Sequence, residues 1–348
     1  MMQVTHDNHF VPQFYLKRWS KDGHRIWCYR ILVPQAKVPE WKLKSIRGIA
    51  YQRDLYTSMV GGQEIDEFER WIESEFENPA QDTIERVLHG DTLSSSDWER
   101  LVLFLASQDV RTPQSYFESI MRWYKKLPKI FQQIIEQSVQ EFEEAAKTGR
   151  KLKIRQTTEK QYFTDAFHVK VNPHARPETN QGEIKVKVAS GRRLWLESQH
   201  HLLEKTAKVL LSHHWSIAEA ANDTEWFTSD HPVVRVNYYG EGKYDLKGGW
   251  GKEGCNLLMP ISPKHLLFTE IGKNLPNRFV FTDRLTYEIK RFIAERAYRS
   301  IFAHKRMPEV KQLRPRIINL QMYREEQEVW RNWHNDQCKI EQDFDEGK

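Results

Sequence analysis

The chain is poor in cysteine and contains no long apolar run. Its 348 residues include three widely separated cysteines, Cys28, Cys255 and Cys338. This odd, scattered set argues against a disulfide framework and against a cysteine-rich zinc site. No segment approaches the roughly 18 apolar residues that a membrane-spanning helix needs, and charged residues near the start argue against a secretory signal. We therefore expect a cytoplasmic protein that does not reside in a membrane.

The common nucleotide and metal motifs are also missing. The sequence has no Walker loop, Gly-x-Gly-x-x-Gly, His-Glu-x-x-His or Cys-x-x-Cys pattern, so P-loop hydrolysis and zinc proteolysis lack support. The net charge of +5 suits an anionic partner without matching a dedicated nucleic-acid arm. Basic residues cluster near residues 150–155 and 185–193, a pattern that is typical of solvated loops.

Large aromatic residues are abundant, with 12 Trp, 13 Tyr and 17 Phe, and they predict an ordered globular core. Hydrophobic periodicity indicates helices, then strands, along the chain. The predicted helices cover residues 64–88, 97–111, 116–146, 194–222 and 283–303. The predicted strands cover residues 24–31, 41–46, 226–237, 256–261, 266–271 and 279–281. These elements predict an α+β fold in which a helical first half packs with a largely antiparallel sheet from the second half and a short N-terminal strand pair.

The domain organisation follows from composition shifts. Residues 1–305 are predicted to form a single α+β domain. A polar, basic insertion at about 148–193 carries turn signals and alternating residues, which indicate a hairpin or a mobile loop. Residues 306–348 form a C-terminal extension whose charged end is expected to fray.

A dense run from His9 to Trp19 is the best place to look for function. Pro12 fixes its own backbone and favours an extended Val11, so a short helix should begin at Pro12. Tyr15, Leu16 and Trp19 recur at helical spacing and should anchor that helix in the core. His9 would then be a rigidly mounted imidazole, acting as a base or metal ligand, or else a structural histidine.

Four further polar residues are candidates for the same site. Glu75 is placed on an apolar helical stripe, where a buried carboxylate needs a partner, and Arg111 on the next helix is the natural one. Gln108 and Arg111 share a helix face and could grip a phosphate or carboxylate, or simply cap the helix end. Asp230 interrupts a strand and could bind a divalent cation, orient His9, or cap a bend as an Asx-turn.

Several of these residues also belong to a family pattern. The chain resembles the bacterial DUF4238 family over roughly residues 5–305. The matching positions are His9, Val11-Pro12, Tyr15-Leu16, Tyr51, Tyr56, Glu67, Glu75, Gln108-x-x-Arg111-Thr112-Pro113, Thr228-Ser229-Asp230-His231-Pro232-Val233 and Pro260. The resemblance implies a role in phage defence, since some members lie among defence genes of prophages and satellite elements. The pattern does not call for a histidine at position 231, and the resemblance implies no specific biochemical activity.

Two functions remain open on the sequence alone. The first is an antiphage nuclease or phosphodiesterase that uses His9, Glu75, Gln108, Arg111 and Asp230, with a divalent metal as an optional cofactor. The second is a non-enzymatic sensor or interaction protein, in which the same residues are structural and the basic insertion contacts a partner. Nucleic acid or a phage component is the expected partner in either case. Convergence of the five side chains is the structural expectation that separates these alternatives.

Overall fold

The computed structural model describes residues 4–60, 63–150, 166–176 and 181–346. Helices dominate the first half of the chain and antiparallel strands the second, which confirms the predicted α+β class.

The N-terminal segment is a set of short strands around one short helix. The strands are β1 (Asp7–His9), β2 (Arg25–Arg30), β3 (Leu32–Val33), β4 (Trp41–Ser45), β5 (Tyr51–Arg53), β6 (Ser58–Val60) and β7 (Gln63–Ile65), and the helix is α1 (Gln13–Leu16). The predicted strand pair is confirmed, because β2 and β4 pair antiparallel. β1 pairs with β5, which places His9 opposite Tyr51.

Four helices follow: α2 (Glu67–Ile72), α3 (Asn78–Leu88), α4 (Ser95–Val110) and α5 (Pro113–Thr148). A π-helical turn, Glu73–Glu77, joins α2 to α3. The predicted helix at 64–88 begins a few residues later than expected, because its first residues pair with β6 as β7. Ser94 and Asp97 cap α4 reciprocally, so this helix starts where its capping residues predict.

The predicted insertion contains a hairpin. Strands β8 (Phe167–Arg176) and β9 (Gln181–Val188) pair antiparallel after α5. Residues 151–165 and 177–180, which also belong to the insertion, lie outside the described residues. Arg192 at the end of the basic cluster is fully buried and pairs with Glu341 at 2.7 Å, so this residue is not part of a solvated loop.

The second half supplies most of the strands of two sheets. Its helices are α6 (Arg192–His201), α7 (Lys208–Leu211) and α8 (Asp283–Arg296). Its strands are β10 (Ser216–Glu219), β11 (Thr228–Ser229), β12 (Val234–Tyr238), β13 (Tyr244–Asp245), β14 (Cys255–Pro260), β15 (His265–Glu270), β16 (Arg278–Val280) and β17 (Ser300–Ala303). The six-stranded sheet has the order β13-β12-β14-β15-β10-β16, and the four-stranded sheet has the order β11-β17-β2-β4. The second sheet therefore joins strands from the two ends of the chain.

Two predicted helices are too long. The helix expected at 194–222 ends before residue 216, and the helix expected at 283–303 ends at Arg296. In both cases the chain enters a buried strand, β10 or β17, that pairs with residues distant in sequence. Tertiary pairing decides the conformation there, and no Gly or Pro marks the change.

The C-terminal extension is ordered through residue 346, so the expected frayed end is wrong for this part. The extension contains α9 (Val310–Leu313), β18 (Ile317–Ile318) and α10 (Leu320–Glu346). β18 pairs parallel with β3, and α10 buries Trp333 and Phe344. The Arg192–Glu341 ion pair ties α10 to α6. Burial of apolar side chains and a paired charge outweigh the polar composition of this segment.

Candidate functional site

The N-terminal run connects the two halves of the molecule. Pro12 is the N-cap of α1 and lies one residue before the helix, with extended backbone angles. Tyr15, Leu16 and Trp19 are fully buried. The Tyr15 hydroxyl is 2.6 Å from both Thr228 Oγ1 and the Pro260 carbonyl oxygen. The spacing of these residues therefore reports a scaffold, as predicted.

The buried side chain of Arg111 binds the backbone of the residues that precede α1. Its side chain is fully buried, and Nε donates to the Phe10 carbonyl at 3.1 Å. Nη2 donates to the carbonyl of His9, and Nη1 pairs with the carboxylate of Glu77. Burial opposes the charge of Arg111, but Glu77 together with Tyr56 and Glu69 outweighs it, so the pKa of Arg111 is raised. Each of the three guanidinium nitrogens has a protein partner, and the anion that Arg111 contacts is the carboxylate of Glu77.

Glu77, and not Glu75, is the carboxylate partner of Arg111. Glu75 is exposed, and its Oε1 accepts from Ser74 Oγ at 3.3 Å. The buried stripe runs at four-residue spacing through Phe68, Ile72, Phe76, Ala80 and Ile84. The three-residue step from Ile72 to Glu75 therefore leaves the stripe. The π-helical turn widens the helix at this point, and it carries Glu77 towards Arg111.

A second acid, the half-buried Glu69, lies near this ion pair and was not identified from the sequence. Burial raises the pKa of Glu69 to about 8, although the charge of Arg111 acts against the shift. Its Oε2 is buried and has no hydrogen-bond partner among the described residues. Tyr56 donates its hydroxyl to the Arg111 carbonyl at 2.6 Å and completes the cluster. The sequence signal for Glu69 is its position about one helical turn before Ile72, a residue of the predicted apolar stripe.

His9 lies beside this cluster with a neutral ring. Burial, followed by the nearby charge of Arg111, lowers the pKa of His9. Its Nε2 is buried without a hydrogen-bond partner in the described part of the chain. The ring packs against Tyr51, with centroids 5.5 Å apart. The structure thus brings His9 and Arg111 together, but the contact uses the His9 carbonyl and not its imidazole.

Gln108 and Asp230 do not join His9. Gln108 is fully buried, and neither of its amide atoms has a hydrogen-bond partner among the described residues. Asp230 accepts hydrogen bonds from the backbone amides of Tyr298 and Arg299, at 2.9 and 2.7 Å. Burial raises the pKa of Asp230 to about 6, against the effect of these amides. Asp230 therefore ties the strand interruption to the segment between α8 and β17, and the local side-chain bond at the bend is the one from His231 N to Ser229 Oγ, at 3.1 Å.

The Asp230-His231 pair lies against the Arg111-Thr112-Pro113 segment. His231 Nδ1 is 2.5 Å from Thr112 Oγ1. The ring is fully buried, and burial, followed by the charges of Arg296 and Arg235, lowers its pKa well below the usual value. His231 is therefore neutral and fixes the contact between the start of α5 and the strand interruption. The two motif segments therefore meet through Thr112 and His231, and not through the five side chains that were expected to converge.

A polar cavity opens beside Asp230, and we call it the cationic pocket. Its volume is about 180 Å³. One wall is the four-stranded sheet, where Arg30 and Lys44 share a face because Ile26 is the cross-strand partner of Lys44. The other lining residues include Phe10, Tyr51, Pro113, Asp230, Arg299 and Glu326.

Two cations of the cationic pocket, Arg30 and Lys44, are not held in an ion pair within the described residues, although the charge of Arg30 acts to lower the pKa of Asp230, which lines the same cavity. Arg299 pairs with Glu326 at 2.5 Å. Arg30 and Lys44 form no ion pair with any of the residues that the structure describes. Arg30 Nε is in addition buried without a hydrogen-bond partner among those residues. Unpaired cations facing one cavity are suited to bind an anion.

Comparison with known proteins assigns the chain to a family. A family model described as "Protein of unknown function (DUF4238)" matches residues 7–307. The chain belongs to the DUF4238 family. No curated protein and no solved structure matches it.

The site of this DUF4238 protein differs in two respects from the predicted one. Among the described residues, no group of three or more His, Cys, Asp or Glu side chains is arranged to hold a metal ion. Arg30, Lys44 and Arg299 line the cationic pocket beside Asp230, and the sequence did not identify these three cations as site residues. Strand alternation places Arg30 and Lys44 on one face, but their pairing register was needed to bring them together.

In the part of the chain that the structure describes, no helix is long and apolar enough to cross a bilayer.

Proposed function

We propose that this DUF4238 protein is a recognition protein of bacterial antiphage defence that binds a phosphorylated ligand, such as nucleic acid, in the cationic pocket. The observation that supports the proposal is the pair of cations, Arg30 and Lys44, that line one cavity without ion-pair partners in the described residues. A planar guanidinium and an ammonium group together suit the oxygens of a phosphate. The defence role is taken from the family resemblance.

The hydrogen bonding of the predicted site residues favours recognition over hydrolysis. Arg111 donates to two backbone carbonyls and to Glu77, and Asp230 accepts from two backbone amides. Both side chains therefore stabilise the fold. Glu75 is exposed and Gln108 is buried apart from the cationic pocket lining, so neither completes a catalytic set there.

A phosphodiesterase is the second candidate, and one observation favours it. His9 is a neutral imidazole with an unpartnered Nε2, and its ring contacts Tyr51, which lines the cationic pocket. A neutral imidazole can take a proton from an attacking water. Phosphate held by Arg30 and Lys44 would then be the reacting group.

Phage challenge of bacteria that produce the protein tests the proposal. We expect the double variant Arg30→Met/Lys44→Met to lose protection while its folded fraction stays unchanged. Lys37→Met is the matched control, since Lys37 is exposed and lies outside the cationic pocket lining. Full protection by the double variant would contradict the proposal.

The hydrolase candidate is tested with purified protein and labelled RNA and DNA. Cleavage that disappears in His9→Gln, with unchanged ligand binding, would establish the second candidate. Binding without cleavage in the wild type is the result that the recognition proposal predicts.

A further inference from the structure

A second cavity, whose lining is more apolar than polar, lies beside the residues that flank the Arg111-Thr112-Pro113 segment. Its volume is about 220 Å³, and it is bounded by the end of α4, the start of α5, α6 and β12. We call it the glutamine pocket and define it by Asp109, Arg122, Gln199, Arg235 and the indole rings of Trp195 and Trp250. None of these residues lines the cationic pocket.

Gln199 carries an unsatisfied amide in this pocket. The residue is 1% exposed, and both Nε2 and Oε1 are buried without a hydrogen-bond partner among the described residues. A buried donor or acceptor without a partner costs about 1–3 kcal/mol. Folded proteins rarely keep such a group unless something satisfies it. The amide offers an N–H donor beside a carbonyl acceptor. It therefore fits a ligand that presents an acceptor beside an N–H donor.

Asp109 adds a second acceptor at the buried end. Its Oδ2 accepts from Trp250 Nε1 at 2.7 Å, whereas Oδ1 is buried without a partner in the described residues. The carboxylate can therefore accept a further N–H from a ligand. The same hydrogen bond holds the Trp250 ring in the pocket wall.

The other side of the glutamine pocket is cationic. Arg122 is exposed and forms no ion pair with the described residues. Arg235 is 3.5 Å from both Asp109 and Glu118. Glu118 is also bound by Arg296 at 2.7 Å, so its charge is already compensated. Desolvation, followed by the neighbouring charge of Arg235, lowers the pKa of Arg122, although the carboxylates of Glu118 and Asp109 act against this shift.

The shape of the pocket limits the occupant. A cavity of about 220 Å³ is smaller than the roughly 300–1,000 Å³ of drug-sized ligand sites, so it encloses a group about as large as a nucleobase with part of its sugar. Trp195 and Trp250 line the pocket and supply aromatic surface against which a base can pack. A glutamine amide pairs with the donor and acceptor of adenine in a bidentate manner.

We infer that the glutamine pocket binds a nucleotide, with the base edge paired to the Gln199 amide and the phosphate near Arg122 and Arg235. Asp109 accepts from the exocyclic amino group of the base. The buried residues thus contact the base, and the exposed arginine contacts the charged end that reaches solvent. This site is separate from the cationic pocket and does not depend on the function proposed for it.

Calorimetric titration of the full chain with AMP, adenosine and ribose 5-phosphate tests the inference. We expect AMP to bind most tightly, and Gln199→Met to weaken both AMP and adenosine at least about tenfold, the equivalent of one lost hydrogen bond of about 1.4 kcal/mol. Gln133→Met is the matched control, because Gln133 is exposed on α5. Arg122→Ala should weaken AMP but leave adenosine unchanged, with the exposed Arg324→Ala as its control.

Two results would overturn the inference. One is the absence of AMP and adenosine binding to the wild type. The other is equal binding to the wild type and to Gln199→Met. Thermal unfolding keeps the test interpretable, because removal of the unsatisfied amide is expected to leave the unliganded protein at least as stable. The variant Arg30→Met/Lys44→Met should bind AMP normally, which separates this test from that of the cationic pocket.

Discussion

Glu77 and Glu75 differ by two positions, but the structure gives them opposite roles. Glu77 pairs with the fully buried Arg111 and is itself 15% exposed, whereas Glu75 is exposed and accepts a hydrogen bond from Ser74. Substitution of Glu77 by alanine leaves the buried guanidinium without its closest carboxylate. Loss of one partner of a buried ion pair costs about 3–5 kcal/mol.

The expected loss for Glu77→Ala is below this range, about 2–3 kcal/mol, for two reasons. Arg111 keeps its hydrogen bonds to the carbonyls of His9 and Phe10. Glu69, whose pKa is raised to about 8 by burial, also loses a like-charged neighbour and can ionise beside Arg111. The double variant Glu69→Gln/Glu77→Ala should therefore lose about 1 kcal/mol more than the sum of the two single losses.

Urea denaturation followed by far-UV circular dichroism at neutral pH measures these free energies of unfolding. Glu75→Ala is the control, with an expected change within about 0.5 kcal/mol because its side chain is exposed. Equal losses for Glu75→Ala and Glu77→Ala would refute the assignment of Glu77 as the partner of Arg111.

Three further predictions concern buried titratable groups. The folded-state pKa of Glu69 lies near 8, above its ordinary value of 4.5, so the wild type should lose stability as pH rises between these values, by about 1.4 kcal/mol per pH unit. In Glu69→Gln this loss of stability with rising pH should be absent. A variant that loses stability with pH as the wild type does in urea unfolding would contradict the raised pKa of Glu69. The pKa of His231 lies well below 6.5, so protonation favours the unfolded chain, and His231→Gln should reduce the loss of stability below pH 6.5. A variant with the wild-type acid profile would show that His231 is not neutral in the fold. Asp230→Asn should cost about 2 kcal/mol in urea unfolding, because one of the two backbone amides, of Tyr298 or Arg299, loses its acceptor. A loss no larger than that of the exposed Asp82→Asn would argue against this structural role of Asp230.

Local signals in the sequence predicted the local structure well. The spacing of Tyr15, Leu16 and Trp19 indicated buried scaffold residues, and Ser94 with Asp97 marked the start of α4. Both depend on neighbours within one or two helical turns. The contact between Thr112 and His231, by contrast, joins two segments of the family pattern that are more than 100 residues apart, and no local signal predicts it.

The candidate site was harder to predict because it depends on distant pairing. The choice of Glu75 assumed a three-residue step from Ile72, whereas the buried stripe continues at Phe76 and the π-helical turn carries Glu77 to Arg111. Arg30 faces the cationic pocket beside Ser300, its cross-strand partner in β17, at the far end of the sequence. Hydrophobic periodicity carries no information on such a register.

Calorimetric titration with inorganic pyrophosphate tests whether the cationic pocket binds phosphate. The account predicts that the wild type and Lys37→Met bind with equal affinity, and that Arg30→Met/Lys44→Met binds at least about tenfold more weakly, since each charged contact is worth about 1.5–3 kcal/mol. Arg122→Ala in the glutamine pocket should leave this cationic-pocket binding in place. Wild-type affinity in the double variant, or no binding by the wild type, would contradict a phosphate site in the cationic pocket.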